Sequence, residues 1–181
     1  MHENNQGMVL KDGKLTRVTF WQKLSQWWYG VAEPHIIRFS DFMLRHENLR
    51  KIYVRMKKPK SLPSGVILST DAACRFVDFI YAQGEGNNTA RMAVTDCVCQ
   101  TALQRFKEPR LKDMALLYAA DMYTTWNHTG IKEDFYRIEE AEKAKVMLRD
   151  FHKVGLMHNA LYCHQSGKWT FVLCNCDHEI C

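Results

Sequence analysis

Two Cys-x-Cys pairs, Cys97-Val98-Cys99 and Cys174-Asn175-Cys176, constrain this chain more than any other feature. They start 77 residues apart, and Cys181 follows the second pair by five residues. A fold that uses these thiols together must bring two distant segments to one place. Cys74 and Cys163 stand alone in apolar or aromatic surroundings, where a thiol reads as a small hydrophobe. The count of seven is odd. The N-terminal MHENNQGMVLKDGK contains no apolar signal region, so the expected address is the reducing cytoplasm. A structural disulfide framework is a poor explanation for such a set.

Soft thiolates select zinc, copper(I) or iron–sulfur clusters. In a strand, residues i and i+2 share a face, and in a turn they can clasp a metal directly. The candidate ligands are Cys97, Cys99, Cys174, Cys176 and Cys181. Spacing does not choose the metal, because both zinc sites and ferredoxin runs usually place two residues between ligands. His178, between Cys176 and Cys181, is the best non-thiolate ligand or hydrogen-bond donor to the thiols, although a surface histidine is its plainer reading. His158 and His164 read as surface residues. Asp96 and Asp177 each adjoin a thiol pair and read equally as turn or cap residues. No Ser–His–Asp or Cys–His–Asp arrangement follows from spacing.

At 181 residues the chain suits one domain, or a domain with a helical arm. Hydrophobic content of 46%, with 9 Gly and 4 Pro, excludes a disordered or collagen-like chain. No run of 18 apolar residues offers a transmembrane segment. The net charge of +5 is uneven: seven basic residues lie between Arg45 and Lys60 against one acid, Glu47. That segment is either a solvated face or a docking patch for nucleic acid, an acidic partner or anionic lipid. The expected organisation is a flexible 1–14, a helical aromatic and basic region over 15–62, and a cysteine-bearing domain over 63–181.

The expected fold class is α+β. Phe20, Leu24, Trp27, Trp28 and Val31 fall on one helical face, which suggests core or subunit contact over membrane contact. Pro34 is positioned to open a second helix. Residues 66–68 and 90–95 read as strands flanking a helix from Ser69–Asp71 to about Gln83, a β–α–β unit long enough for a parallel pair. Residues 101–106 and 111–125 look helical. The clearest helix runs from Tyr136 to Val154, with Ile138, Ala141, Lys145, Leu148 and Phe151 or Val154 on its buried edge and Gly155 as its stop. Two strands, 157–164 and 168–174, follow as a hairpin. A helix followed by a hairpin is also the second half of a winged helix.

Three segments together resemble a loosely described family of anaerobe iron–sulfur proteins, described as 4Fe–4S binding proteins and often fused to ferredoxin modules. Asp96-Cys97-Val98-Cys99-Gln100 is similar to its C-x-C-R segment, with Gln100 in place of Arg. The stretch EEAEKAKVMLRDFHKVGLMH, Glu139 to His158, is similar to its later helix. Cys174-Asn175-Cys176-Asp177-His178-Glu179-Ile180-Cys181 is similar to its C-terminal C-N-C motif. A further family cysteine falls near Met114, which this chain does not match. The resemblance covers roughly residues 64–181. It implies a [4Fe–4S] cluster held by Cys97, Cys99, Cys174, Cys176 and Cys181. It also implies a role in electron transfer or redox sensing, as an accessory protein more than a stand-alone enzyme. Expected partners are a protein redox partner, or a second copy through the N-terminal aromatic helix, with nucleic acid as a possibility through 45–60. The alternative reading is a zinc-stabilised, winged-helix-like nucleic-acid-binding protein.

Overall fold

An eight-stranded antiparallel sheet organises the chain in the computed structural model, which describes residues 7–56, 65–83, 91–126, 135–163 and 169–180. The elements follow in the order β1 (Met8–Lys11), β2 (Lys14–Arg17), α1 (Phe20–Arg45), α2 (Glu47–Met56), β3 (Gly65–Leu68), α3 (Thr70–Gln83), β4 (Met92–Asp96), α4 (Val98–Leu103), β5 (Leu111–Leu116), α5 (Tyr118–Trp126), β6 (Tyr136–Ile138), α6 (Ala141–Lys153), β7 (Met157–Cys163) and β8 (Trp169–Cys176). The class is α+β, as expected.

Strand β8 is the hub. One of its edges pairs with β7 from Met157↔Cys176 to Cys163↔Trp169. The other pairs with β5 at Met114↔Leu173 and Ala115↔Val172, and with β1 at Leu10↔Thr170 and Lys11↔Trp169. Strand β4 joins the far side of β5, β6 joins β4, and β3 lies outside β7.

Side-chain alternation divides the sheet between two cores. On one face Met92, Val94, Met114, Leu116, Ala160 and Leu173 pack with α3 and α6 through Val77, Ile80, Ala144, Leu148 and Phe151. Residues 144, 148 and 151 recur at helical spacing, so α6 presents one apolar stripe to this core. Burying each large side chain there contributes about 1.5–3 kcal/mol. On the other face Ala93 and Ala115 pack with Ala119, Met122 and Tyr123 of α5, joined by Val9, Val18 and Phe171, which the register shift opposite Leu161 and Tyr162 turns to this side although Leu173 faces the other.

Several expectations change. Part of the expected flexible stretch is regular structure: β1 and β2 form a hairpin on the sheet, with Val9 and Leu10 buried. Residues 1–6 lie outside the described residues. Pro34 opens no second helix; it sits inside the 26-residue α1, four residues after Gly30, where an added Cβ would lie 3.2 Å from the Tyr123 ring. Strands β3 and β4 flank α3 in sequence but pair with other strands, each antiparallel, so they do not form the expected parallel pair. The predicted helix over 111–125 is a strand and a shorter helix, β5 and α5. A continuous buried run such as LKDMAL carries no period that separates a central strand from a helix. The helix expected over 136–154 is shorter: Tyr136–Ile138 is strand β6, α6 runs from Ala141 to Lys153, and its buried residues are Ala144, Leu148 and Phe151, with Val154 exposed. The β7–β8 hairpin is present.

Helix α1 is turned the opposite way from its apolar pattern. A capping box at Thr19 and Gln22 starts it. Its buried stripe is Gln22, Gln26, Gly30 and Pro34, and the Gln26 side-chain amide donates to the Tyr123 hydroxyl at 2.5 Å. Phe20, Trp21, Leu24, Trp28, Ile36, Phe39 and Phe42 face outward. The aromatic face is therefore not part of this chain's own core.

Candidate metal centre

The two Cys-x-Cys segments leave the same end of the sheet. Strand β4 delivers Cys97 directly after Asp96, and β8 carries Cys174 and Cys176 as its last residues. Both strands run antiparallel to β5, which lies between them. One intervening strand puts β4 and β8 roughly 10 Å apart.

Cys97 is the N-cap of α4 and is buried. Its N–H donates to the Arg110 carbonyl at 3.0 Å, and its own carbonyl accepts the N–H and the hydroxyl of Thr101. Its side chain makes no capping bond. The N–H of the next residue, Val98, donates instead to Asp113 Oδ2 at 3.2 Å. Cys99 follows in the first turn of α4 and is half-buried.

Asp113 is nearly buried on β5, directly opposite Thr95 of β4. The register at Met114↔Leu173 makes Cys174 its neighbour on β8. Asp113 thus touches the first cysteine segment through Val98 and faces the second at Cys174. A cavity of about 30 Å³, enough for a water or two, lies between Glu33 and Pro34 of α1 and Thr95, Asp113 and Cys174 of the sheet. The Thr95 hydroxyl has no hydrogen-bond partner among the described residues.

Cys174 and Cys176 share a strand face, and their thiols hydrogen-bond to one another. That bond pushes the Cys174 pKa well up, helped by burial and by the nearby charges of Asp113 and Glu33. The residue keeps partial exposure, but its sulfur is enclosed. These surroundings favour the thiol over the thiolate at Cys174. A bound cation would reverse this preference, because metal binding displaces the thiol proton.

A second clip joins the segments outside the sheet. Lys107, in the turn after α4, reaches Asp177 at 3.0 Å and Glu179 at 2.9 Å, just beyond Cys176. The carboxyl of Asp177 is held below the ordinary carboxylate range, first by the Glu179 N–H and then by Lys107 and Lys112. Arg110 pairs with Asp96 at 2.7 Å and lies over the Phe106 ring.

On the opposite sheet face a buried polar chain runs across β7, β8 and β5. Asn175 Nδ2 donates to the Lys112 carbonyl, which can only accept. Its Oδ1 therefore faces His158 Nδ1 at 2.6 Å and accepts the proton there. His158 Nε2 is left as the acceptor for the Thr70 hydroxyl at 3.3 Å. Burial pushes the imidazole pKa down, and the bond to Asn175 only partly offsets this. Beside this chain Lys112 is fully buried, with no hydrogen-bond partner for its ammonium among the described residues.

The remaining candidates are placed as follows. Cys74 lies on α3 against the α6 core, with its pKa raised by burial. His178 is 71% exposed, with its ring nitrogens 3.9 Å from Asp177 and Glu179. His158, expected at the surface, is buried. Cys163 ends β7 in sequence, and His164 and Cys181 lie outside the described residues. Among the described residues no three of Cys, His, Asp and Glu converge in a geometry that would hold a metal ion. Sequence reasoning missed Asp113, Lys112, Asn175 and the role of His158. Their signal was the polar pair Lys112-Asp113 inside a buried strand, hidden because 111–125 read as a helix. No family model, curated protein or solved structure matches the chain.

Proposed function

We propose that this chain is an iron–sulfur protein of electron transfer or redox sensing, with a cluster, expected to be [4Fe–4S], held by thiolates from Cys97, Cys99, Cys174, Cys176 and Cys181. The observation that supports the reading is that both Cys-x-Cys segments leave the same end of the sheet one strand apart, with Asp113 between them and Lys107 clipping the outer turn. The donor set fits in chemistry: four described thiols, all soft, on two segments one strand apart. Five candidate thiols exceed the usual four ligands, so one is a spectator.

A cluster of this kind supplies one-electron chemistry. The chain's own residues do the rest. Asp113 and the Arg110 carbonyl fix the Cys97–Val98 backbone. The Cys174–Cys176 face offers two neighbouring sulfurs. Lys107 ties the C-terminal turn back to the loop after α4. The partner on this reading is a protein electron donor or acceptor in the cytoplasm, and the chain is an accessory to its reaction.

The competing reading keeps the same thiols on a structural zinc and uses α6 with the β7–β8 hairpin as a wing-like reader of nucleic acid. The order helix then hairpin favours it. Against it, both edges of β8 are already paired, one with β7 and the other with β5 and β1, whereas a wing projects free. Anaerobic purification and reconstitution, followed by iron, sulfide and zinc counting, separates the two. Near four irons and four sulfides per chain is expected. A colourless protein with no iron after reconstitution refutes the proposal, and one zinc per chain with salt-steep DNA binding replaces it.

A further inference from the structure

We propose that the outward face of α1 and α2 lies on an anionic lipid surface, holding the protein at a membrane without crossing it. The central observation is the inverted amphipathicity of α1. Its inward stripe, Gln22, Gln26, Gly30 and Pro34, is polar or small, while the opposite side carries the large apolar side chains. Phe20, Trp21 and Trp28 are 69%, 71% and 64% exposed, and Phe39 and Phe42 are 57% and 53%. Twenty-six residues at 1.5 Å each make this stripe roughly 39 Å long. Scattered exposed apolar residues are ordinary, but a continuous row of this size marks a contact surface.

The neighbouring charge indicates what covers it. Helix α2 folds back on α1 after His46, tied by the Ser40–Tyr53 hydroxyl pair at 2.7 Å and by the edge contact of Phe39 with Tyr53. It carries Arg50, Lys51 and Arg55, all exposed, with Lys51 3.5 Å from Glu47, and it also exposes Ile52 and Val54. An open groove of about 560 Å³ runs along α1, lined by Trp28, Ile36 and Phe39 with Tyr53 of α2 at its side. A second copy would bring two basic segments together, and nucleic acid would leave Leu24, Ile36, Ile52 and Val54 without a role. An anionic bilayer surface meets both demands, with acidic headgroups beside an apolar layer. Tryptophan suits that boundary because its ring is apolar and its N–H is polar. Among the described residues no helix is long and apolar enough to span a bilayer, so the contact is in the plane of the surface.

The test uses the full chain with vesicles of phosphatidylcholine alone and vesicles half phosphatidylglycerol, by flotation and tryptophan fluorescence at 0.15 M salt. Strong binding to the anionic vesicles with a blue shift is expected, along with at least tenfold weaker binding to the neutral ones. Raising salt, or the triple change Arg50→Gln, Lys51→Gln, Arg55→Gln, weakens binding at least tenfold. Trp21→Ser with Trp28→Ser does the same and reduces quenching by brominated lipid. These positions are exposed, so circular dichroism of the variants matches the parent. Absence of binding to anionic vesicles overturns the proposal. Light scattering then assigns the face to a second copy if the protein is dimeric, and to a protein partner if it is monomeric. Equal binding to both vesicle types refutes the charge argument. Iron content plays no part in these readouts, so this proposal and the cluster assignment stand or fall separately.

Discussion

Asp113 is the single side chain whose removal tests the architecture of the cysteine end. Asp113→Ala deletes the acceptor for the Val98 N–H, the first free amide of α4, where the Cys97 side chain makes no cap bond. A buried donor left without a partner costs about 1–3 kcal/mol. Some of this is returned, because the change also removes a carboxylate from beside Cys174 and Glu33. The expected net loss is therefore about 1–2 kcal/mol, measured by urea unfolding under reducing, anaerobic conditions. Asp113→Asn keeps an oxygen that can accept the same N–H, so its cost stays under about 1 kcal/mol. It also removes the charge that helps push the Cys174 thiol up, so that pKa falls. Alkylation at pH 8, resolved by peptide mass spectrometry, should then proceed faster at Cys174 in the Asn variant than in the parent. An Ala variant within about 0.5 kcal/mol of the parent, the range of an ordinary surface change, refutes the pinning role. An unchanged alkylation rate in the Asn variant refutes the electrostatic one.

His158 is held neutral, with its pKa below the ordinary value near 6.5. Above that value both folded and unfolded chains are neutral at this site. As pH falls through it the unfolded chain takes a proton first, so stability declines until the lower folded pKa is passed. Urea midpoints at pH 7.5 and 5.5 should differ less for His158→Gln than for the parent, and an equal difference would show that the imidazole is not the group responsible. Gly65→Ala places a Cβ 2.6 Å from both Asn159 Oδ1 and Leu161 Cδ2, and 3.1 Å from the Ala160 carbonyl, where β3 meets β7. A loss of about 1–3 kcal/mol is expected from such overpacking, and an unchanged thermal midpoint would mean that β3 shifts freely. Lys112→Met exchanges a buried ammonium without a hydrogen bond among the described residues for an apolar chain of similar length. Its stability is expected to be unchanged or raised by up to roughly 2 kcal/mol, and a clear loss would refute the reading of Lys112 as an uncompensated buried polar group.

The legible parts of the chain are those whose signals are local. Most of helix α6 follows from the apolar spacing that includes Ala141, Leu148 and Phe151 and from the stop at Gly155, although Ala144 and not Lys145 fills its buried edge, and the β7–β8 hairpin follows from two β-rich runs around Gln165-Ser166-Gly167. The pairing of Cys97 with Cys99, and of Cys174 with Cys176, is a property of adjacent residues and needs no tertiary information. The inward side of α1 was not legible. Its aromatic residues mark the apolar face of a helix, but periodicity reports which residues share a face, not which face the rest of the chain covers.

The sequence by itself determined an α+β chain with thiols in two close-set pairs and a basic segment near an aromatic one, because periodicity, composition and spacing are written along the backbone. Only the tertiary structure decided that β8 takes β5 and β1 on one edge, that Asp113 lies between the cysteine segments, and that α1 shows its tryptophans to the outside. The physical reason is that strand partners are chosen by backbone groups far apart in the chain. A residue's neighbours across a sheet leave no trace in the residues beside it.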